Sequence, residues 1–188
     1  MLQTLLHWDT QLFLFLNGLH SPFWDSIMVF ASGKFTWIPL YLLLVYFIYR
    51  KHGIKTLWWL LAIAIVVTAA DQIASGIFKN GFQRLRPCHN PDLQGIIHII
   101  GRCGGKFGFA SSHAANTFGV AVFLSFLYKN RWATLGLLFW AAFVSYSRIY
   151  LGVHYPGDVI CGAIIGAGVG IAVWFLANRF INKQEKSI

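Results

Sequence analysis

The chain has 188 residues, 57% of them hydrophobic and only 11% charged, against roughly a quarter charged in a soluble domain. That deficit excludes a water-facing surface over most of the chain, and the length suits a single domain over residues 1–188. The net charge of +9 would point to nucleic acid in a soluble protein, but the cations avoid the apolar runs, so nucleic acid is not an expected partner.

The elements follow in chain order. Residues 5–19 mix apolar residues with His7, Asp9, Thr10, Gln11 and Asn17 and read as an interfacial helix, with a further span as the alternative. The start lacks a basic region and carries Asp9, so no removable signal peptide is expected. A bilayer core needs roughly 20 mostly apolar residues per helix. Five segments qualify: 23–49 (interrupted at Ser32-Gly33-Lys34), 56–78, 114–128, 132–150 and 159–177. The expected fold is therefore an all-α integral membrane bundle of five or six transmembrane helices with an N-terminal interfacial helix. Lys34 is expected to snorkel outward. Asp71, inside the second span, is read as structural although an intramembrane carboxylate is a functional candidate by default. Gly162, Gly166 and Gly170 recur every four residues, which suits close helix packing within one monomer.

Basic residues set the orientation. Arg50, Lys51 and Lys55, then Lys129 and Arg131, then Arg179, Lys183 and Lys186 fall on one side of an alternating path, which is expected to be cytoplasmic. The connections 79–113 and 149–158 then face outward, yet carry Lys79, Arg84, Arg86, Arg102 and Lys106. An anion-binding site would account for that exception. Arg84 is assigned to the loop or to head-group contact; Arg102 and Lys106 either widen an anion funnel or are simply solvated. His7, His20, His52, His89 and His98 read as interfacial anchors.

Three polar clusters lie at the outward helix ends: Lys79 to Pro87, Ala110-Ser111-Ser112-His113, and Ser147-Arg148 with His154 and Asp158. Asp158 follows His154 by four residues, so the two share a helix face. A carboxylate there fixes the imidazole tautomer and leaves the other nitrogen as a nucleophile. Ser111-Ser112 before an apolar run resembles a helix N-terminus, whose N–H groups cradle anions. Arg86 and Arg148 offer forks for phosphate oxygens, and Lys79 adds a point charge.

These residues resemble the signatures of the type 2 phosphatidic acid phosphatase (PAP2) family. Lys79 through Arg86-Pro87 matches the first signature, and Ser147-Arg148, His154 and Asp158 match the third. The second, usually Pro-Ser-Gly-His, reads Ala110-Ser111-Ser112-His113, a departure at two positions that bears on substrate preference. The stretch Ser21-Pro22-Phe23-Trp24-Asp25-Ser26 is similar to the start of short bacterial members acting on undecaprenyl diphosphate.

The resemblance implies a membrane phosphatase working through a phosphohistidine. His154 would be the nucleophile, Asp158 its orienting partner and His113 the acid and then base. Lys79, Arg86, Ser111, Ser112 (through its backbone N–H) and Arg148 would hold the phosphate oxygens. No metal or other cofactor is needed, because side chains supply the cations. The expected substrate is a membrane lipid phosphate or diphosphate, with undecaprenyl diphosphate ahead of lipid A, phosphatidylglycerophosphate and phosphatidate. The expected location is a bacterial cytoplasmic membrane with the site facing outward. A phosphate or lipid transporter would place cations deep within the spans, and an inactive lipid-binding scaffold would lack a signature residue. The cations lie at span ends, and His113, His154 and Asp158 are all present. Cys88 and Cys103 share the outward connection, where an oxidising compartment permits a disulfide, with two free thiols as the alternative; Cys161 is expected to pack in a helix.

Overall fold

Helix boundaries follow local chemistry. In the computed structural model, which describes residues 1–185, α1 (Leu2–Gly18) leads to α2 (Pro22–Ser32). Pro22 opens α2, where a missing N–H is no loss, and the Ser21 side chain caps it by accepting from the Trp24 N–H. The expected first span over 23–49 is two helices rather than one. The chain is extended at Gly33, and α3 (Ile38–His52) begins afresh with Pro39 in its first turn. The Trp37 indole N–H donates to the Ala31 carbonyl at 2.9 Å and fastens the break.

Gly53, at φ +55°, ends α3 in a conformation that favours glycine. A 3₁₀ turn (Gly53–Lys55) then leads to α4 (Thr56–Asp71), which runs on as a wide π-helical stretch (Gln72–Lys79) and the short α5 (Asn80–Phe82). After the long loop that follows α5 come α6 (Ser112–Tyr128), α7 (Arg131–Tyr150) and α8 (Pro156–Glu185). Among the described residues the only strand-like feature is an isolated bridge between Leu85 and Phe107.

The core forms where α6 is enclosed by α4, α7 and α8, around buried Val66, Phe123, Leu124, Trp140 and Val144. Small residues allow the closest approach. A Cβ on Gly162, Gly166 or Gly170 would run into the α6 backbone at Ser111, Ala115 and Gly119 respectively. The glycine stripe thus packs α8 on α6 within one chain, as expected.

Outside the core the apolar surface is open. Leu42, Phe139, Ile164 and Leu176 are each more than 60% exposed. Among the described residues, two helical stretches, Ile38–Phe82 and Pro156–Ile181, are long and apolar enough to cross a membrane, and only 22% of the most apolar window in each is buried. The core helix of a soluble protein would be mostly buried, so this surface suits lipid.

The bundle has two unlike ends. At one, the Lys51 ammonium donates to the last α6 carbonyls, Leu127 (2.8 Å) and Tyr128 (3.2 Å), and Lys51, Lys55 and Lys129 border one depression. Several expected cytoplasmic cations therefore sit together; Lys186 lies outside the described residues. The other end carries the long connection between α5 and α6. There Cys88 and Cys103 are joined as a disulfide, with Cα atoms 6.1 Å apart.

The N-terminal helix α1, expected to be interfacial, packs against that second end. Phe13 is fully buried, edge-on to Tyr155. The Asn17 side chain donates to the carbonyls of His98, Ile149 and Tyr150 and accepts the His98 N–H. His98, expected as an interfacial anchor, stacks on His20 and pairs with Asp25 at 3.0 Å.

Candidate functional site

The three sequence clusters, far apart along the chain, meet at this end of the bundle. The α7–α8 connection brings His154 back under the loop, and α8 starts at Pro156, so Asp158 lies in its first turn. His154 is 2% exposed and Asp158 wholly buried. Nδ1 of His154 lies 3.3 Å from Oδ2 of Asp158, which also accepts the Tyr155 N–H at 3.0 Å. The contact the sequence suggests is made, but not on a shared helix face: His154 precedes α8, and Asp158 reaches back to it from the first turn, which leaves Nε2 of His154 as the second ring nitrogen.

The His154 imidazole, in the connection between helices, is pushed down to about 4, chiefly by burial. Asp158 pulls the other way through its hydrogen bond and charge, while Arg86 and Arg148 reinforce the drop. The ring is neutral at physiological pH, as a nucleophile requires.

Around this pair stand the cations. Arg86 is 9% exposed, and its guanidinium donates to the carbonyls of Phe107 (3.2 Å) and Cys103 (3.1 Å). Burial lowers its proton affinity and Asp158 partly offsets that. Arg148, at the end of α7, donates through one nitrogen to Ser32 Oγ, at the break between α2 and α3, and its buried Nε has no partner. Lys79 closes the π-helical stretch, which alters the helical register just where the ammonium must reach inward. Its Nζ donates to Ser112 Oγ at 2.8 Å and Ser75 Oγ at 3.2 Å, and the two hydroxyls lie 2.7 Å apart. The unusual Ser112 thus turns its side chain towards Lys79.

Ser111 is fully buried and caps α6 through a long contact from the Ala114 N–H, while its own N–H donates to the Asp158 carbonyl at 2.9 Å. His113 lies one residue into α6. It lines a partly open, mainly apolar cavity of about 450 Å³ bordered by the α2–α3 break and by α3, α4, α6 and α7. Lys34, Asn116 and Thr117 share its polar end, and Ile48, Leu60 and Leu124 line the apolar remainder. Lys34 is exposed, as a snorkelling lysine would be, but at the mouth of this cavity. No ion pair links Asp71 to Lys79 among the described residues.

Sequence reasoning missed three residues here, Gln83, Asp9 and Gly108, and misplaced Arg84. Gln83, at φ +46°, ends α5 and turns the chain. Arg84 then reaches inward to Asp158 Oδ1 (3.1 Å) and to Asp9 Oδ2 (2.7 Å), not outward to loop or head groups. Asp9 comes from α1. Gly108 presses its backbone onto the centre; a Cβ there would lie 3.0 Å from Arg86 Cγ and 3.1 Å from Asp158 Oδ2. The available signals are a second arginine two residues before Arg86, an acid in an apolar helix, and a glycine three residues before Ser111.

Cys88, His89 and Cys103 approach closely enough to hold a metal ion. With the cysteines paired as a disulfide there are no thiolates to ligate one.

Fixed cations around a neutral, carboxylate-backed histidine, at the end of an apolar bundle with an open apolar belt, define a class of membrane enzyme that hydrolyses lipid phosphates. The sequence pattern of the PAP2 superfamily matches residues 56–182, and the chain belongs to that superfamily. It is 44% identical, over 98% of its length and 84% of the relative's, to a lipid A 4'-phosphatase of Bacteroides thetaiotaomicron. A lipid A 4'-phosphatase of Porphyromonas gingivalis is 35% identical over 92% of this chain and 74% of its own. An undecaprenyl-diphosphatase of Sulfolobus acidocaldarius is 32% identical over 96% and 84%. Among solved structures, LpxE of Aquifex aeolicus superposes with a TM-score of 0.69 at 27% identity, over 87% of this chain and 93% of that one. The protein is a PAP2-type phosphatase acting on lipid phosphates.

Proposed function

We propose that the protein removes a phosphate from lipid A, with the 4' position favoured, at the outer face of a bacterial cytoplasmic membrane. The observation that carries this reading is 44% identity to a lipid A 4'-phosphatase along nearly the whole chain. It reverses the order expected from sequence motifs, which put undecaprenyl diphosphate first. That substrate is the second reading, supported by the more distant undecaprenyl-diphosphatase.

In the proposed mechanism Lys79, Arg86 and Arg148 hold the phosphate oxygens, with Ser111 and the backbone N–H of Ser112 at the α6 N-terminus. Nε2 of His154 attacks phosphorus in line. The P–O bond to the lipid breaks as the new N–P bond forms, and His113 protonates the leaving oxygen. Asp158 holds the ring and offsets its developing positive charge. His113, now neutral, takes a proton from water, which attacks the phosphohistidine and releases inorganic phosphate and neutral His154. The fixed cations stabilise the charge on the equatorial oxygens in both steps. Side chains of this chain perform every proton transfer.

The apolar cavity behind His113 lies on the leaving-group side and suits a hydrocarbon chain reaching the site laterally from the bilayer. In the proposed topology α3, α4, α6, α7 and α8 cross the membrane. The clustered Lys51, Lys55 and Lys129 mark the cytoplasmic end and leave the site outside.

The test is phosphate release by detergent-purified protein in EDTA, on lipid A, undecaprenyl diphosphate, phosphatidylglycerophosphate and phosphatidate. Mass spectrometry locates the phosphate lost from lipid A. Fastest release from the 4' position, absent in His154→Ala, is the expected result. Faster release from undecaprenyl diphosphate would replace the substrate assignment.

A further inference from the structure

The carboxylate that backs His154 is itself held from behind. Asp158 is wholly buried, and a buried carboxylate needs partners on both oxygens. Oδ2 is taken by His154 and the Tyr155 N–H. Oδ1 takes the Arg84 guanidinium at 3.1 Å. The same Arg84 nitrogen is 2.7 Å from Oδ2 of Asp9, while Oδ1 of Asp9 accepts the Gly157 N–H at 2.7 Å. The guanidinium lies against the neighbouring Tyr155, 3.9 Å from the ring centroid. A Cβ on Gly157 would strike the Asp9 carboxylate, so the close approach of α1 to the first turn of α8 depends on that glycine. The circuit closes on itself: Asp158 to Arg84, Arg84 to Asp9, Asp9 to the residue before Asp158.

We propose that Arg84 and Asp9 are a positioning pair that fixes the Asp158 carboxylate behind His154, which makes the N-terminal helix a working part of the reaction centre. The inference rests on the phosphohistidine reading given above. In this arrangement Arg84 acts on carboxylates rather than on phosphate: one terminal nitrogen serves both Asp158 and Asp9. Its charge sets how strongly Asp158 favours a proton on His154. Arg84 offsets the carboxylate, and Asp9 in turn moderates Arg84.

The other groups that act on this pair are Arg86 from the loop, Arg148 from α7, His113 from α6, Lys79 from the π-helical stretch, Tyr155 from the connection and Cys161 from α8. All of them stay in place when Arg84 alone is changed. Removing its cation should therefore shift His154 in one direction: the carboxylate acts uncompensated, and the imidazole holds its proton to higher pH.

The experiment compares wild type, R84Q, R84K and D9N in detergent, each checked for folding by gel filtration and thermal unfolding. Two readouts are taken. One is kcat and KM for phosphate release from lipid A. The other is the titration of the His154 ring by NMR of histidine-labelled protein, assigned with H154A. R84Q removes the guanidinium charge and, being shorter, also the contact to Asp158, whereas R84K keeps the charge, so the comparison of the two isolates the charge. Expected for R84Q are a fall in kcat of about tenfold or more with KM within about threefold, and a His154 titration moved upward by about one pH unit. R84K, which keeps the charge, restores the titration.

A raised KM with unchanged kcat in R84Q would make Arg84 a phosphate ligand and overturn the proposal. An unchanged titration in folded R84Q would overturn it as well. If R84Q does not fold, the cycle of D9N and R84K decides. Losses in kcat that overlap in the double variant support a coupled pair, and fully additive losses overturn it. Wild type that releases phosphate from no lipid would overturn the catalytic reading itself, while the NMR titration would still judge the charge coupling.

Discussion

His154 has one ring nitrogen committed to Asp158 and the other available, so its protonation decides whether it can attack. Burial drives the imidazole down to about 4. The acid limb of kcat/KM should therefore fall only below about pH 5, well under the range of an ordinary histidine. The same shift bears on stability. Between about 4 and the ordinary 6.5 the unfolded chain binds a proton that the folded site refuses, so stability is full above that window and is lost as pH falls through it. Thermal unfolding in detergent across pH 4 to 7 reads this; His154→Gln should flatten the curve. Ser112 is the second residue-scale case. Where the family usually has glycine, this hydroxyl takes up the Lys79 ammonium together with Ser75. Ser112→Gly should loosen Lys79, raising KM about two- to fivefold with kcat little changed. An unchanged KM would mean Ser75 alone holds the lysine.

Elements place these residues, and here the sequence was only partly legible. The His154–Asp158 contact could be read from spacing, although the assumed shared helix face is not its cause: His154 precedes α8, and Asp158 in the first turn reaches back to it. The glycine stripe was legible because a helix puts residues four apart on one face. The π-helical stretch was not, since no residue pattern in Gln72–Lys79 announces a change of helical register. Nor was the break in the first span legible as two separate helices, because apolar composition over 23–49 is continuous apart from Ser32-Gly33-Lys34. The pairing of Arg84 with Asp9 joins residues 75 apart and depends on where α1 docks, which composition does not encode. Packing of α8 on α6 gives a controlled test of the legible part. Gly166→Ala places a methyl against the Ala115 carbonyl, whereas Gly168→Ala meets nothing within 4 Å. The first should destabilise by about 1–3 kcal/mol and the second should be neutral or slightly stabilising, both read as shifts in thermal unfolding. Equal shifts would contradict the close α6–α8 contact.

At the scale of the whole molecule, the long loop between α5 and α6 is the part that must hold its shape without a long helix. The disulfide between Cys88 and Cys103 spans 15 residues, and closing a loop of that length contributes about 3 kcal/mol by restricting the unfolded chain. It also fixes the carbonyl of Cys103 on Arg86, so covalent closure and anion binding are linked through one backbone group. Cys88→Ser with Cys103→Ser should therefore lower the unfolding temperature and raise KM, and reductant should do the same to wild type but not to the double variant. Such a loop is useful only on an oxidising side of the membrane. The proposed topology puts the loop on that side as well, because Lys51, Lys55 and Lys129 gather at the opposite end, where α3, α4 and α6 meet. Two independent features, redox chemistry and charge, thus argue for the same proposed orientation. A single cysteine at Gln94 in that loop should react with a membrane-impermeant maleimide in intact spheroplasts, and one at Lys129 only after lysis. Labelling of the Lys129 position in intact cells would invert the topology and place the disulfide in a reducing compartment, where it would not persist.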